Sequence, residues 1–246
     1  QRKILWYALN EMKIGDVTSV IDIASSTQKM TKYRHGHDSL AKTIVLMTQR
    51  FVGSNNIPLF KDDGQFGTRN RGGKDHGAVR YLKCNIAPYI FSIFPKEDMI
   101  VLRQMLRHED GHDIEPRFLL PVIPLSLVNA KKGVATGIST NIIQFNPDHI
   151  IDWLIARLTD AQLPAVQPYY WGYHGSLELV KNDDGLLFTN NGVMEYQQSV
   201  NGYNIIIHEL PIQVSTQSFE AEVKDLMEAK TLDNFDIVEY DDEEQV

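Results

Sequence analysis

The chain has 246 residues, 43% of them hydrophobic, and a net charge of −8, enough to bury a sizeable core in one large domain or two small ones. No run of ~18 apolar residues is present to span a membrane, the opening Gln-Arg-Lys lacks a signal peptide's apolar core, and the single cysteine, Cys84, excludes an internal disulfide and a cysteine-rich zinc site and points to an intracellular protein. An acidic protein repels duplex DNA, but residues 1–90 carry 14 Lys and Arg against 7 Asp and Glu while residues 91–246 carry 10 against 25, so the basic third can meet an anion while the acidic remainder faces elsewhere.

Residues 1–12 place Leu5, Ala8, Leu9 and Met12 at helical spacing behind Arg2 and Lys3. A weaker helix follows over 16–28, with Val17, Val20, Ile21 and Ala24 as its apolar side and Ser25-Ser26-Thr27 ending the pattern. In Tyr33-Arg34-His35-Gly36-His37-Asp38-Ser39-Leu40, Asp38 or Ser39 can cap a helix in which Leu40, Ile44, Met47 and Phe51 recur and which Gly53 stops. Lys42, Thr43, Gln49 and Arg50 take its other faces. A helix, a glycine-bearing turn and an amphipathic helix with a polar outer face is how a helix-turn-helix meets a DNA groove; an ordinary surface helix fits the pattern equally. A lone turn histidine such as His35 is more often solvent-facing or core-satisfied than catalytic.

Ile57 to Phe60 reads as a strand and Lys61-Asp62-Asp63-Gly64 as its turn, leading into a long tip that ends at Tyr81. In that tip Gly64, Gly67, Gly72, Gly73 and Gly77 allow close approach of backbone to a ligand, and Arg69, Arg71, Lys74 and Arg80 favour an anion such as nucleic-acid phosphate. A tyrosine hydroxyl titrates near pH ~10, so Tyr81 could attack a phosphate only if cations or a base stabilise its phenolate. The competing reading is a solvated, flexible hairpin tip. With the helices before it, the hairpin makes a winged helix. Leu82, Ile86, Tyr89 and Ile90 then continue as a helix, another runs from Asp98 to Arg107, and the acid- and histidine-bearing stretch Glu109–Pro116 reads as a surface turn rather than a metal site.

Pro121-Val-Ile-Pro124 marks a boundary between residues 1–121 and 122–246, with Leu125–Val128 as a buried strand and Asn129–Gly137 as a basic glycine-bearing loop. Ile150, Ile151, Leu154 and Leu158 form the inner side of a helix over 148–158. Strands at 176–181, 186–190, 192–200 and 204–209, separated by Asp-Gly and Asn-Gly turns, lead to a helix over 218–229 and an acidic stretch at 239–244. The fold class is α+β, a winged helix followed by a small α/β domain.

Gly67-Thr68-Arg69, Gly72-Gly73-Lys74-Asp75 and Arg80-Tyr81 together resemble the active-site loop of type IIA DNA topoisomerases, in the eukaryotic and large-DNA-virus form. Four further stretches are similar to that family in the same order. Gln1-Arg2-Lys3 stands where the family has Gln-Arg-Lys, and Tyr33-Arg34-His35-Gly36-His37 where it has Tyr-His-His-Gly-Glu, so only His35 and Gly36 match there. Asn129–Gly137 stands for Asn-Gly-x-x-Gly-Ile-Gly-Thr-Gly, with Ala130 and Ala135 replacing glycines, and Pro168–Glu178 matches a family segment in which Trp171 replaces an arginine.

The resemblance implies a DNA-breakage core in which Tyr81 becomes joined to a 5′ phosphate, with Arg80 and His35 stabilising the charge on phosphate oxygens. Arg2, Lys3, Lys42, Arg69, Arg71 and Lys74 would hold duplex DNA, and Val134 would wedge at a base step and bend it. It also implies a homodimer, a tower as the second domain, Mg2+ held by a Toprim domain and ATP held by an ATPase domain, neither within this chain, which is expected to be an excised or split piece with little cleavage alone. No metal ligand is expected among these residues. A location in the nucleus, or in a host nucleus, viral factory or virion, follows from the family. Two other readings remain at this point: a winged-helix protein that bends DNA without cutting it, and a basic-faced module that binds a protein partner.

Overall fold

The computed structural model describes residues 1–129, 131–182, 185–200 and 202–237. Three helices build the first half: α1 (Arg2–Glu11), α2 (Val20–Thr31), which follows the two-residue strand β1 (Thr18–Ser19), and α3 (His37–Thr48). They bury Ile4, Leu5, Ala8, Val20, Ile23, Leu40, Ile44 and Met47 in one core. The Ser25-Ser26-Thr27 stretch does not end α2 as expected. Thr27 and Thr31 continue its buried stripe, and the Thr31 hydroxyl donates to the Thr27 carbonyl at 2.7 Å, so a small hydroxyl is buried without leaving its proton unpaired. Nor do Asp38 or Ser39 cap α3. Gly36 is the N-cap, and the Ser39 hydroxyl, one turn inside, donates back to the Gly36 carbonyl at 3.1 Å.

The wing differs most from expectation. Strand β2 (Phe60–Asp63) covers the residues expected to turn, and β3 (Lys83–Ile86) lies where a helix was expected. Leu82, Cys84 and Ile86 are buried and alternate with Lys83 and Asn85, which is the two-residue period of a strand. The fourfold spacing of Leu82 and Ile86 fits both periods, and pairing decides between them: β3 is the central strand of a β1-β3-β2 antiparallel sheet, with Thr18 opposite Cys84 and Phe60 opposite Ile86.

Beyond the wing come α4 (Ile90–Ile93) and α5 (Lys96–Leu102), shorter than predicted because Leu106 already belongs to β4 (Leu106–Glu109), which pairs with β5 (His112–Pro116). Leu125–Val128, expected as a strand, is the single helical turn α6. The hairpin of β6 (Lys131–Ala135) and β7 (Ile138–Ile142) follows, and then α7 (Pro147–Leu158), capped by the Asn146 side chain. Of the residues expected on the inner side of α7, Ile150 is buried with Ile123 and Val128 and Leu154 packs against them, whereas Ile151 and Leu158 face outward. Two antiparallel hairpins, β8 (Ser176–Asn182) with β9 (Gly185–Asn191) and β10 (Val193–Ser199) with β11 (Gly202–Glu209), precede α8 (Thr216–Glu228). The acidic stretch at 239–244 lies outside the described residues.

Two asparagines hold the halves together. The Asn56 amide donates to the carbonyls of Val128 and Tyr169, both at 3.0 Å, and its oxygen accepts from the Trp171 amide at 2.8 Å. Asn129 exchanges two hydrogen bonds with the Ile57 backbone, at 2.9 and 2.8 Å. These bonds satisfy backbone groups of three segments, at Ile57, Val128 and Tyr169 to Trp171.

Candidate nucleic-acid interface

The wing loop is closed by hydrogen bonds rather than left to flex. From the end of α3, the buried Gln49 amide donates to the carbonyls of Phe66 at 2.8 Å and Gly73 at 3.0 Å. Across the loop Asp75 accepts from the Thr68 amide at 2.8 Å and the Thr68 hydroxyl at 2.6 Å. Gly67, at φ +101°, lies against Gly73: a Cβ there would come within 2.6 Å of the Gly73 carbonyl oxygen. Only glycine accepts both that backbone angle and that approach.

Burial alone would raise the Asp75 carboxyl, but the Thr68 donors and the nearby Arg71 cation outweigh it and hold its pKa below the usual aspartate value. The stabilisation is therefore complete above the unfolded aspartate pKa of ~3.9 and lost as the pH falls through the lower folded value. The protection factors of the Thr68 and Gly73 amides, taken against the intrinsic rate at each pH, are expected to stay high at neutral pH and to fall as Asp75 is protonated. Protection that does not fall as the Asp75 carboxyl is seen to protonate would show that Asp75 does not hold the loop.

The loop ends in a short 3-10 turn, Val79–Tyr81, in which the Tyr81 amide bonds the Ala78 carbonyl at 2.8 Å. The buried Leu82 anchors the next step, and its carbonyl accepts from Val20 at the start of α2 at 3.0 Å. Tyr81 is thereby fixed by backbone and core contacts while its side chain is 71% exposed. The Arg80 guanidinium lies 5.0 Å from the centre of its ring. His35 is tied to the later part of α2: the Gln28 amide donates to its carbonyl at 3.0 Å, and its ring meets the Tyr33 ring edge-on at 5.3 Å. Among the described residues no hydrogen bond or ion pair joins His35 to Arg80 or Tyr81.

The structure divides the expected DNA-binding cations into two groups. Lys42 on α3 and Arg71 and Lys74 at the wing tip are exposed. Arg2 and Lys3 instead meet Glu115, whose side chain is fully buried: Lys3 Nζ lies 2.8 Å from its Oε2 and Arg2 Nη2 3.5 Å from its Oε1. Arg107 joins the same carboxylate at 3.2 Å. Arg69 is engaged by Glu209 and by the Leu210 carbonyl. Val134 pairs with Ser139 in the β6–β7 hairpin, and its side chain lies outside the described part.

Sequence reasoning missed Glu115, Glu209, Gln49 and Asp75. Only Asp75 carried a local signal, being inside the glycine-rich loop. The other three act across long separations, and Glu115 was read as part of an acidic surface turn when it points into the core.

A winged helix with a rigid, basic wing and one exposed tyrosine at its foot is the arrangement of a DNA-handling domain. Residues 1–246 match the family model that describes the A subunits of DNA gyrase and topoisomerase IV, and the chain belongs to that family, the type IIA DNA topoisomerases. It is 39% identical to the DNA topoisomerase 2 of Invertebrate iridescent virus 6 over 96% of its length and 21% of that protein's. It is 35% identical to the DNA topoisomerase 2 of Arabidopsis thaliana over 100% of its length and 16% of that protein's. The chain thus spans about a fifth or less of these relatives. Its fold superposes on the Plasmodium falciparum topoisomerase II DNA-binding, cleavage and re-ligation domain with a TM-score of 0.83 at 31% identity, covering 94% of this chain and 30% of that one.

Proposed function

We propose that this chain carries the DNA-cleaving tyrosine of a type IIA topoisomerase, and that Tyr81 is the nucleophile. The carrying observation is its placement: an exposed phenol on a backbone pinned by α2 and by a closed wing, beside Arg80 and at the end of the loop that bears the exposed Arg71 and Lys74. The Tyr81 oxygen attacks the phosphorus of a phosphodiester and gives its proton to solvent. The bond from phosphorus to the 3′ oxygen breaks, that oxygen takes up a proton to leave as a hydroxyl, and the 5′ phosphate stays on tyrosine. One phosphodiester replaces another, so cleavage itself consumes no nucleotide.

Arg80 and His35 are assigned to the charge on the phosphate oxygens, where a positioned donor acts electrostatically. Lys42, Arg71 and Lys74 hold the duplex backbone, joined by Arg2 and Lys3 from their positions on Glu115. Val134 wedges at a base step. Residues 1–121 act as the cleavage domain and 122–246 as the tower. Cutting both strands takes two copies related by a twofold axis. Mg2+ would neutralise phosphate charge, and ATP would drive strand passage; both are assigned to Toprim and ATPase domains. Among the described residues no three His, Cys, Asp or Glu side chains converge to hold a metal. The compartment follows the DNA it serves, nucleus or viral factory; two relatives are mitochondrial topoisomerases.

The reading is tested by trapping labelled DNA on the complete topoisomerase with magnesium under denaturing conditions, then digesting the protein and sequencing the DNA-linked peptide. The linked residue is expected to be Tyr81. Linkage through any other tyrosine, or DNA bending without linkage, overturns it.

A further inference from the structure

The wing is fastened to the later part of the chain by side chains of its short turn, Arg69 foremost. Arg69, in the turn between Gly67 and Gly73, is only 21% exposed and forms an ion pair with Glu209, which is 5% exposed at the end of β11. Its second terminal nitrogen donates to the Leu210 carbonyl at 2.6 Å. Next to it the Thr216 hydroxyl, at the start of α8, donates to the Asn70 side chain at 3.1 Å. Glu209 is itself held in place, since its other oxygen accepts from the His174 amide at 3.2 Å. The segment that follows is wedged as well: the Ile212 amide donates to the Asn190 side chain at 2.8 Å, and a Cβ on Gly53 would come within 2.9 Å of the Ile212 carbonyl oxygen.

We propose that Arg69 is a positioning residue that fixes the wing, and with it Tyr81, to the end of β11, rather than a ligand of DNA phosphate. Three observations separate it from the other wing cations. It is largely buried, its charge is met by an ordered carboxylate, and its guanidinium already donates to the Leu210 carbonyl. Arg71 and Lys74, a few residues away, have none of these features and stay exposed. The wing is closed within itself by Gln49 and Asp75; Arg69 sets where that closed unit sits against the second half. Misplacing a reacting group by ~1 Å costs on the order of a hundredfold in rate, so a contact that never touches DNA can govern cleavage.

This inference rests on Tyr81 as nucleophile for its consequence, but not for its contact. The experiment therefore reads both, in the complete topoisomerase, with Arg69→Met, Glu209→Gln and the double variant. Arg69→Met leaves the buried Glu209 without its cation, and Glu209→Gln leaves Arg69 without its counter-charge. Each is expected to lower trapped DNA about tenfold, and the double variant is expected to recover to within about threefold of the parent, the non-additivity of directly coupled residues. The thermal midpoints should follow the same cycle. The slope of log DNA affinity against log salt should change by less than ~0.3 with Arg69→Met, whereas loss of a phosphate contact would reduce it by about 0.9. A slope change of that size, or additive losses in the midpoints, overturns the inference. If the parent traps no DNA, the Tyr81 reading falls while the midpoints and the salt slope still decide the role of Arg69.

Discussion

Tyr81→Phe in the complete topoisomerase is expected to trap at least ~10³-fold less DNA than the parent while binding DNA within about threefold of it. Phenylalanine keeps the ring, and with it the seat of the Arg80 guanidinium at 5.0 Å from the ring centre, so only the attacking oxygen is removed. Arg80→Gln is the companion. It leaves the phenol but removes the cation placed to meet developing phosphate charge, and is expected to cost about 10² to 10³ in cleavage rate. A DNA-bending protein predicts indifference to both changes. Adduct formation by Tyr81→Phe at the parental level would remove Tyr81 from the mechanism.

The second large effect concerns stability. Lys3→Met combined with Arg107→Met leaves Glu115 fully buried with only Arg2, 3.5 Å away and 41% exposed, to balance it. Stranding a buried carboxylate costs about 3–5 kcal/mol, against ~0–1 kcal/mol for breaking a surface pair. The shift of the denaturation midpoint in urea, at unchanged slope, measures it. Adding Glu115→Gln should recover part of the loss by removing the stranded charge. A loss under ~1 kcal/mol would show that water reaches Glu115 and that the cluster is a surface feature.

Helices α1, α3, α7 and α8 and the late hairpins were legible from the sequence to within a few residues, since each carries one clear period or a turn-forming Asp-Gly or Asn-Gly pair. The errors fall where a segment's partner decides its structure. β3 has a helix-compatible spacing and becomes a strand because β1 and β2 lie on either side of it. Ser25-Ser26-Thr27 looks like a helix terminus, yet Thr27 and Thr31 are core, the Thr31 hydroxyl being bonded back to the Thr27 carbonyl. In the interface, Tyr81, Arg80 and the wing glycines were readable as a local motif. The positions of Arg2, Lys3 and Arg69 were not, since their partners Glu115 and Glu209 lie more than a hundred residues away in sequence.

Those partners change what the uneven charge of the chain amounts to. Arg2, Lys3, Arg34 and Arg69 belong to the basic first third, and the acids they face, Glu115, Glu109 and Glu209, all come from the acidic remainder. The remainder does not simply face elsewhere; part of it cancels the basic third from within. A cation paired at contact distance looks like a dipole from afar, and beyond a Debye length of ~8 Å its pull on a distant polyanion is screened away. Long-range capture of DNA is then left to the cations of the first third that form no ion pair among the described residues, Lys42, Arg71, Lys74 and Arg80 among them. The rate of arrival at this surface is set by the unpaired charges alone, and a tally of basic residues overstates how far out the molecule can reach.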